Sequence, residues 1–136
     1  MQNISCQERR KKYILMHKYT IHEDEVEAKD LPGRKHKMII GPKNFGKAKN
    51  MCFGTAVFPP NTHAPSHVHP SEEEIIYIIQ GYGEMYFNNE PEPLTPGTCV
   101  YVPPGVEHSI NNKSDIPLKL VYVFSPPVEQ GSYDKK

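Results

Sequence analysis

The sequence predicts an all-β protein whose strands close into a sandwich or barrel, with a jelly roll as the natural closure. From Lys37 onward, short apolar runs alternate at regular spacing with turns rich in Pro, Gly and Asn. The 14 prolines and 9 glycines among 136 residues leave little room for long helices. An apolar content of 37% indicates a globular chain rather than a disordered one.

The apolar runs predict eight short strands, bounded by turn signals such as Gly81-Tyr82-Gly83 and Pro103-Pro104-Gly105. The acidic stretch over residues 22–30 is expected to form a short turn of helix at most. The predicted strands are Lys37–Ile40, Met51–Phe58, Ser66–His69, Glu74–Gln80, Gly83–Phe87, Thr98–Val102, Glu107–Ile110 and Leu118–Phe124.

The chain length fits one domain, which we place at residues 16–136, with its core at about 37–126. Residues 1–15 are polar and basic, and the sequence from Met16 resembles a second N-terminus. We therefore interpret residues 1–15 as a disordered or tag-like extension. The alternative is that this segment forms an extra strand that pairs with a partner subunit.

The composition of the chain indicates which partners and which cellular compartment to expect. The 16 basic and 16 acidic residues balance, which gives no electrostatic reason to expect binding to nucleic acid or an anionic membrane. No apolar run approaches the ~20 residues that a membrane helix needs. Cys6, Cys52 and Cys99 are few, odd in number and widely spaced, which is typical of reduced thiols and predicts a cytoplasmic protein.

A cluster of residues that commonly bind metals lies between residues 63 and 81. His67 and His69 are two residues apart, so on a strand both imidazoles lie on one face. Of the three glutamates that follow, Glu74 opens the next strand and shares its face with Ile76 and Ile78. A carboxylate on an apolar face needs a partner charge, which a metal ion supplies, so Glu74 is the predicted ligand rather than its neighbours.

A second stretch, from Gly97 to Asn112, predicts a strand, a tight Pro-Gly turn and another strand that carries His108. Together the two stretches resemble the motifs of a small single-domain cupin. The first motif, G-x5-H-x-H-x4-E-x6-G, falls on Asn61, His67, His69, Glu74 and Gly81, and the second, G-x5-P-x-G-x2-H-x3-N, falls on Gly97, Pro103, Gly105, His108 and Asn112. The one departure is Asn61 in place of glycine, and Asn tolerates left-handed backbone better than other residues with a side chain.

The resemblance implies a double-stranded β-helix in which His67, His69, Glu74 and His108 bind one divalent transition metal ion. This ligand set accepts manganese, iron, cobalt, nickel, copper or zinc, and it leaves one or two coordination positions for a substrate oxygen or dioxygen. Metal binding requires neutral imidazoles, so occupancy should fall as the pH drops through the histidine range.

Strand order gives candidates for the remainder of the pocket. His63 lies four residues before His67, so it is a candidate acid or base, and Tyr86 is the second candidate catalytic residue. The alternative interpretation of His63 is a solvated loop histidine. Other pocket candidates are Tyr101, Met85 and Phe124.

These features predict a metal-dependent enzyme that acts on a small oxygen-rich metabolite, namely a sugar, a sugar acid or a small organic acid, by isomerisation or by lyase or decarboxylase chemistry. Two alternatives remain: a dioxygenase with ferrous iron, and a non-catalytic module that binds a small molecule through the metal. The strand Glu74–Gln80 is apolar on both faces, which indicates that another subunit or the N-terminal segment covers the outer face. We predict a homodimer.

Overall fold

The computed structural model describes Ser5 and residues 19–134. In these residues ten antiparallel strands form two sheets, and a single 3-10 turn covers Glu23–Glu25, so the all-β prediction is confirmed. The strands are β1 (Lys29–Leu31), β2 (Arg34–Ile40), β3 (Cys52–Phe58), β4 (Thr62–His63), β5 (Glu73–Gln80), β6 (Gly83–Phe87), β7 (Glu90–Leu94), β8 (Cys99–Val102), β9 (His108–Asn112) and β10 (Leu118–Ser125).

Some sequence predictions fall outside this part of the chain. The extension predicted over residues 1–15, and the alternative of an extra strand there, lie outside the described residues apart from Ser5. Cys52 and Cys99 are free thiols, whereas Cys6 is not among the described residues. Across Ser5 and residues 19–134 we find no helix with the length and apolar character to cross a bilayer.

The larger sheet has six strands in the order β1-β2-β3-β10-β5-β8, and the smaller has four in the order β4-β9-β6-β7. Apolar side chains from both sheets form one core cluster, which identifies the inner faces of the sandwich. Its fully buried large members are Phe58, Ile78, Met85, Leu94, Leu118 and Phe124.

Strand β5 shows how the sequence assigns side chains to the two faces. Glu74, Ile76 and Ile78 are 7%, 2% and 0% exposed, because alternate residues of a strand point to the same side. The residues between them, Ile75, Tyr77 and Ile79, are 46–48% exposed on the outer face. The predicted alternation of this strand is therefore confirmed.

The predicted strand Ser66–His69 is wrong. Only His67 makes a bridge, to His108, and the segment is otherwise irregular. Pro65 and Pro70 flank this stretch and have no N–H to give to a ladder, so it cannot continue as regular strand.

The ends of other elements also differ from the prediction. Strand β2 begins at Arg34, three residues before the predicted start. Strand β7 is not among the predicted strands. It contains Pro91 and Pro93 and lies at the edge of the smaller sheet, where prolines are tolerated. Asn61 adopts the left-handed conformation with φ 56°, as expected for the residue that replaces a motif glycine.

Candidate metal centre

Three imidazoles meet inside the sandwich because two chain segments pair there. The His67 N–H donates to the His108 carbonyl at 2.9 Å, and the His108 N–H donates to the His67 carbonyl at 3.0 Å. This reciprocal pair places both side chains on one face. His69, two residues on, reaches the same space, with its ring centroid 4.9 Å from that of His67 and 5.0 Å from that of His108. All three residues are buried, and their ligand atoms lie within 4.8 Å of one another.

Glu74 completes the cluster, because strand β5 presents it from the opposite sheet. Its Oε1 lies 3.6 Å from His69 Nε2 and 3.5 Å from His108 Nε2. The neighbouring Glu73 points outward and accepts a hydrogen bond from the Tyr101 hydroxyl at 2.8 Å. The structure thus brings the four residues together and separates Glu74 from Glu73, as the strand alternation predicts.

Backbone carbonyls set the tautomers of two histidines. His67 Nδ1 lies 3.0 Å from the Pro65 carbonyl, and His108 Nδ1 lies 2.8 Å from the Val106 carbonyl. A carbonyl oxygen only accepts, so each Nδ1 carries the proton and donates. Each Nε2 is therefore left with a free lone pair, which is the arrangement that metal-binding histidines require.

Several nitrogens of the cluster have no partner within the described part of the chain. Both ring nitrogens of His69 and Nε2 of His108 are buried and make no hydrogen bond there. Buried polar atoms normally find a partner, because leaving one unpaired costs free energy. A metal ion bound to His67, His69 and His108 would satisfy Nε2 of His108 and one ring nitrogen of His69, so the residues present fit such an ion.

The protonation states also suit a cation. Burial, assisted by the nearby His108, lowers the pKa of His67 to about 4, so this imidazole is neutral at pH 7. Burial raises the pKa of Glu74, but His108 and His69 lower it by more, and the net direction is downward. Neutral imidazoles beside a charged carboxylate are what metal binding requires.

Comparison with known proteins agrees with this geometry. The family model for the cupin domain matches residues 54–124, more than half of the chain, and includes all four residues of the cluster. The chain belongs to the cupin family. The double-stranded β-helix inferred from the motifs is the fold of its structural relatives, so this prediction is confirmed.

Three relatives illustrate the range of the similarity. An uncharacterised protein of Methanocaldococcus jannaschii is 33% identical over 84 residues, 62% of this chain and 67% of that protein. The oxalate-binding protein of Thermotoga maritima is 31% identical over 76 residues, 56% of this chain and 63% of that protein. The crystal structure of a predicted oxalate decarboxylase from Thermotoga maritima superimposes with a TM-score of 0.70 at 21% identity, and covers 79% of this chain and 98% of that one.

In this cupin a cavity of about 30 Å³ lies beside the histidines. Strand β2 contributes two polar side chains to its wall, Arg34 and His36. Burial and the adjacent Arg34 lower the pKa of His36 to about 3, so the ring is neutral. Most of the remaining wall is apolar, and Ala56, Ile76 and Leu120 are examples.

Gln130 fixes the tautomer of His36. The Gln130 Nε2 lies 2.9 Å from the His36 carbonyl oxygen and 2.8 Å from His36 Nδ1. The carbonyl oxygen only accepts, so the amide nitrogen faces both atoms and donates to them. Nδ1 is therefore the acceptor, and the ring proton is on Nε2, which faces the Tyr133 hydroxyl at 3.4 Å.

The segment after strand β10 covers the cavity, and we call its residues 129–134 the C-terminal tail. The Tyr133 ring lies 4.6 Å from the His69 ring and 5.0 Å from the His67 ring, measured between centroids. Asp134 follows it and pairs with Arg34 at 3.0 Å. Burial raises the pKa of the Tyr133 hydroxyl, so it remains protonated.

Sequence reasoning missed these residues. A strand that began at Arg34 would have shown Arg34, His36 and Met38 alternating on the buried face, but the predicted strand started at Lys37. The tail gives no sequence signal, since Asp134 meets a residue 100 positions away.

The two predicted catalytic residues lie elsewhere. His63 is exposed on β4, and Tyr86 projects from the side of β6 opposite to the fully buried Met85. Both line a groove on the outer face of the smaller sheet, which we call the outer groove and which also includes Ser66, Asn88, Glu107, Ser109 and Asn111. The expectation that they lie beside the metal is corrected, because strand alternation turns Tyr86 outward and the end of β4 leaves His63 in solvent.

The other pocket candidates divide in the same way. Phe124 contacts His69, with ring centroids 4.7 Å apart, and therefore belongs to the centre. Met85 lies in the apolar core, whereas Tyr101 is 54% exposed on the outer face of the larger sheet. In the outer groove the Tyr86 hydroxyl donates to Glu84 and accepts from Lys113 at 2.9 Å.

Proposed function

We propose that this cupin is a metal-dependent enzyme that acts on a small oxygen-rich metabolite, a sugar, a sugar acid or a small organic acid, by isomerisation or lyase chemistry. The observation that carries the proposal is the buried cluster of His67, His69, Glu74 and His108, which contains nitrogens without a partner in the described chain. Among the candidate ions are manganese, iron, cobalt, nickel, copper and zinc.

When bound, such an ion supplies Lewis acidity toward a substrate oxygen. The chain's own residues then have separate tasks. Glu74 offsets the positive charge, and the backbone carbonyls of Pro65 and Val106 hold two imidazoles in the ligating tautomer. His36, neutral and protonated on Nε2, can donate a hydrogen bond to a substrate oxygen that takes the place of the Tyr133 hydroxyl. The apolar wall excludes water and so strengthens these electrostatic contacts.

A second candidate is a binding module without catalysis. The low pKa of His36, about 3, favours it, because this ring is a weak base. A relative is named for binding oxalate rather than for converting it. The two candidates share the metal centre and differ in whether substrate turns over.

A turnover screen separates the candidates. Protein loaded in turn with each metal is incubated with sugar phosphates, uronates and small keto acids, while an electrode follows oxygen. We expect product without oxygen uptake, loss of product with a chelator, and recovery with one metal. Substrate-dependent oxygen uptake would identify a ferrous dioxygenase instead, and binding without turnover would identify the module. Glu73→Gln is the matched control for Glu74→Gln, because only Glu74 lies in the cluster.

We also propose that the protein is a homodimer whose subunits pack through the outer face of the larger sheet. Phe53, Ile75, Tyr77, Ile79 and Tyr101 are 40–54% exposed there, on strands β3, β5 and β8. An apolar surface of this kind is stabilised by a partner. Light scattering at micromolar concentration should give twice the monomer mass, and Tyr77→Lys should halve it. A monomeric wild type would contradict this proposal.

A cytoplasmic location stays a prediction from the cysteine content.

A further inference from the structure

Arg34, which lines the cavity beside the metal centre, is paired with a carboxylate of the C-terminal tail. Arg34 Nη2 donates to both oxygens of Asp134, at 3.0 and 3.2 Å, and Nη1 donates to the Pro32 carbonyl at 2.9 Å. The two charged side chains are only 4% and 9% exposed. A buried guanidinium that loses its anion is strongly destabilised. Any group that replaces Asp134 in this position must therefore be an anion.

Tyr133 fills the space next to that pair. Its ring centroid lies 5.8 Å from the Arg34 guanidinium carbon and within 5.0 Å of the rings of His67 and His69. The Tyr133-Asp134 pair thus occupies a site with a cation on one side and the metal centre on the other. Its shape is that of an aromatic acid: a ring against the histidines and a carboxylate on Arg34.

The attachments of the tail allow it to leave. Its backbone hydrogen bonds are local, from Ser132 N–H to the Glu129 carbonyl and from Asp134 N–H to the Gly131 carbonyl. Side chains hold it to the barrel, through Asp134, Tyr133 and the Gln130 amide on His36. Such a segment can open without disturbing either sheet. The cavity of about 30 Å³ has room for roughly two water molecules. A substrate therefore needs the space that the tail occupies.

We infer that Arg34 is the docking residue for the carboxylate of a small organic acid with an apolar or aromatic body, and that Asp134 competes with that acid from within the chain. The inference rests on the proposed function for what happens at the metal end, but docking on Arg34 requires no turnover. Walls such as Ala56, Ile76 and Leu120 offer no hydrogen bonds to the hydroxyls of a sugar, and this selects the organic acid among the proposed substrates.

Calorimetric titration of metal-free and metal-loaded protein tests the inference. The probes are pyruvate and phenylpyruvate, with their methyl esters as uncharged controls. Asp134→Asn keeps the shape of the tail and removes the competing charge, so it should bind phenylpyruvate about tenfold or more tightly than the wild type. Glu129→Gln removes a charge from the same tail at an exposed pair with Lys43, and it should bind like the wild type. The methyl esters should gain nothing from Asp134→Asn.

Arg34→Met and deuterium exchange complete the test. Arg34→Met should weaken acid binding at least as strongly as Asp134→Asn improves it, and circular dichroism checks that it folds. Phenylpyruvate should raise deuterium uptake in the tail of the wild type, a readout that needs no variant. An Asp134→Asn protein that binds neither acid more tightly, with no change in tail exchange, would overturn the inference.

The same experiment keeps this inference apart from the enzyme proposal. Tighter acid binding by Asp134→Asn in metal-free protein, with no turnover by any metal form, supports docking on Arg34 and refutes the enzyme. Turnover that is unchanged in both Asp134→Asn and Arg34→Met supports the enzyme and overturns docking on Arg34.

Discussion

Two clusters with similar residue types lie on opposite faces of the smaller sheet. Inside are three histidines, a glutamate and a tyrosine, whereas the outer groove contains His63, Tyr86 and Glu107. Strand β9 contributes to both, because His108, Ile110 and Asn112 are buried while Ser109 and Asn111 face outward. One step along the strand therefore separates a candidate ligand from a surface residue.

The difference between the two clusters is the availability of partners. In the outer groove Tyr86 exchanges hydrogen bonds with Glu84 and Lys113, and Glu107 accepts one from the Ser66 hydroxyl at 2.8 Å. Inside, His69 has two buried nitrogens without a partner in the described chain. The same residue types are thus satisfied outside and require a ligand inside, and burial rather than composition marks the functional site.

The largest expected effect is on metal affinity. Glu74→Gln removes the buried negative charge that faces His69 and His108, and it should weaken metal binding about a hundredfold or more. Glu73→Gln alters an exposed carboxylate one residue away, and it should change the affinity less than about twofold. Competition titration against a fluorescent chelator measures both. Equal losses would show that the buried carboxylate is not a ligand.

The stability of the metal-free protein should depend on pH through the interior histidines. The pKa of His67 is lowered from 6.5 to about 4 in the folded protein, so its contribution to stability is complete above pH 6.5. Below that the unfolded chain binds the proton first, and the loss reaches roughly 3 kcal/mol at about pH 4. His36, with a pKa lowered from 6.5 to about 3, adds its own loss over the same range and continues it to about pH 3. Urea unfolding in the presence of a chelator, from pH 7 to 4, measures this, and a flat profile would contradict it.

These contrasts explain what the sequence could and could not predict. The alternation of inward and outward side chains along β5 identified Glu74 as the inward carboxylate, because the strand is long and regular. The position of His63 was predicted from its distance of four residues from His67, and this failed because β4 is only two residues long and the chain then becomes irregular. His67 and His69 reach one space although no strand forms there, because the reciprocal pairing with His108 fixes the backbone.

The C-terminal tail shows what the sequence could not predict. Asp134 pairs with Arg34, and Tyr133 contacts His36 and His67. All of these contacts join residues that are far apart in the sequence. Neither helical nor strand periodicity describes a segment held by side chains, so no local pattern could place it. The motif residues, by contrast, have fixed spacings, and these spacings were sufficient to predict the family.

Neighbouring asparagines on β9 give a sharper test of the two faces. The buried Asn112 amide donates to the carbonyls of Phe58, Pro59 and Ile116 at 2.8–3.2 Å. Asn112→Ala leaves these acceptors unpaired and should lower the free energy of unfolding by about 2 kcal/mol. Asn111→Ala, on the outer groove, should cost less than about 0.5 kcal/mol. Denaturant unfolding of both variants measures these costs. Equal losses in the free energy of unfolding would contradict the expected contrast.

The smallest effects are expected in the outer groove. His63→Ala and Tyr86→Phe leave the interior cluster unchanged, so metal affinity and any turnover should differ from the wild type by less than about twofold. Metal titration and the substrate screen measure both quantities. A large loss of turnover in either variant would restore the role that the sequence analysis gave to these residues.

The most direct test of the central claim is the anomalous difference density of a metal-loaded crystal. We expect one strong peak per chain, within bonding distance of His67, His69, Glu74 and His108. A peak in the outer groove, or no peak at the four residues after loading with each of the six candidate metals, would contradict it.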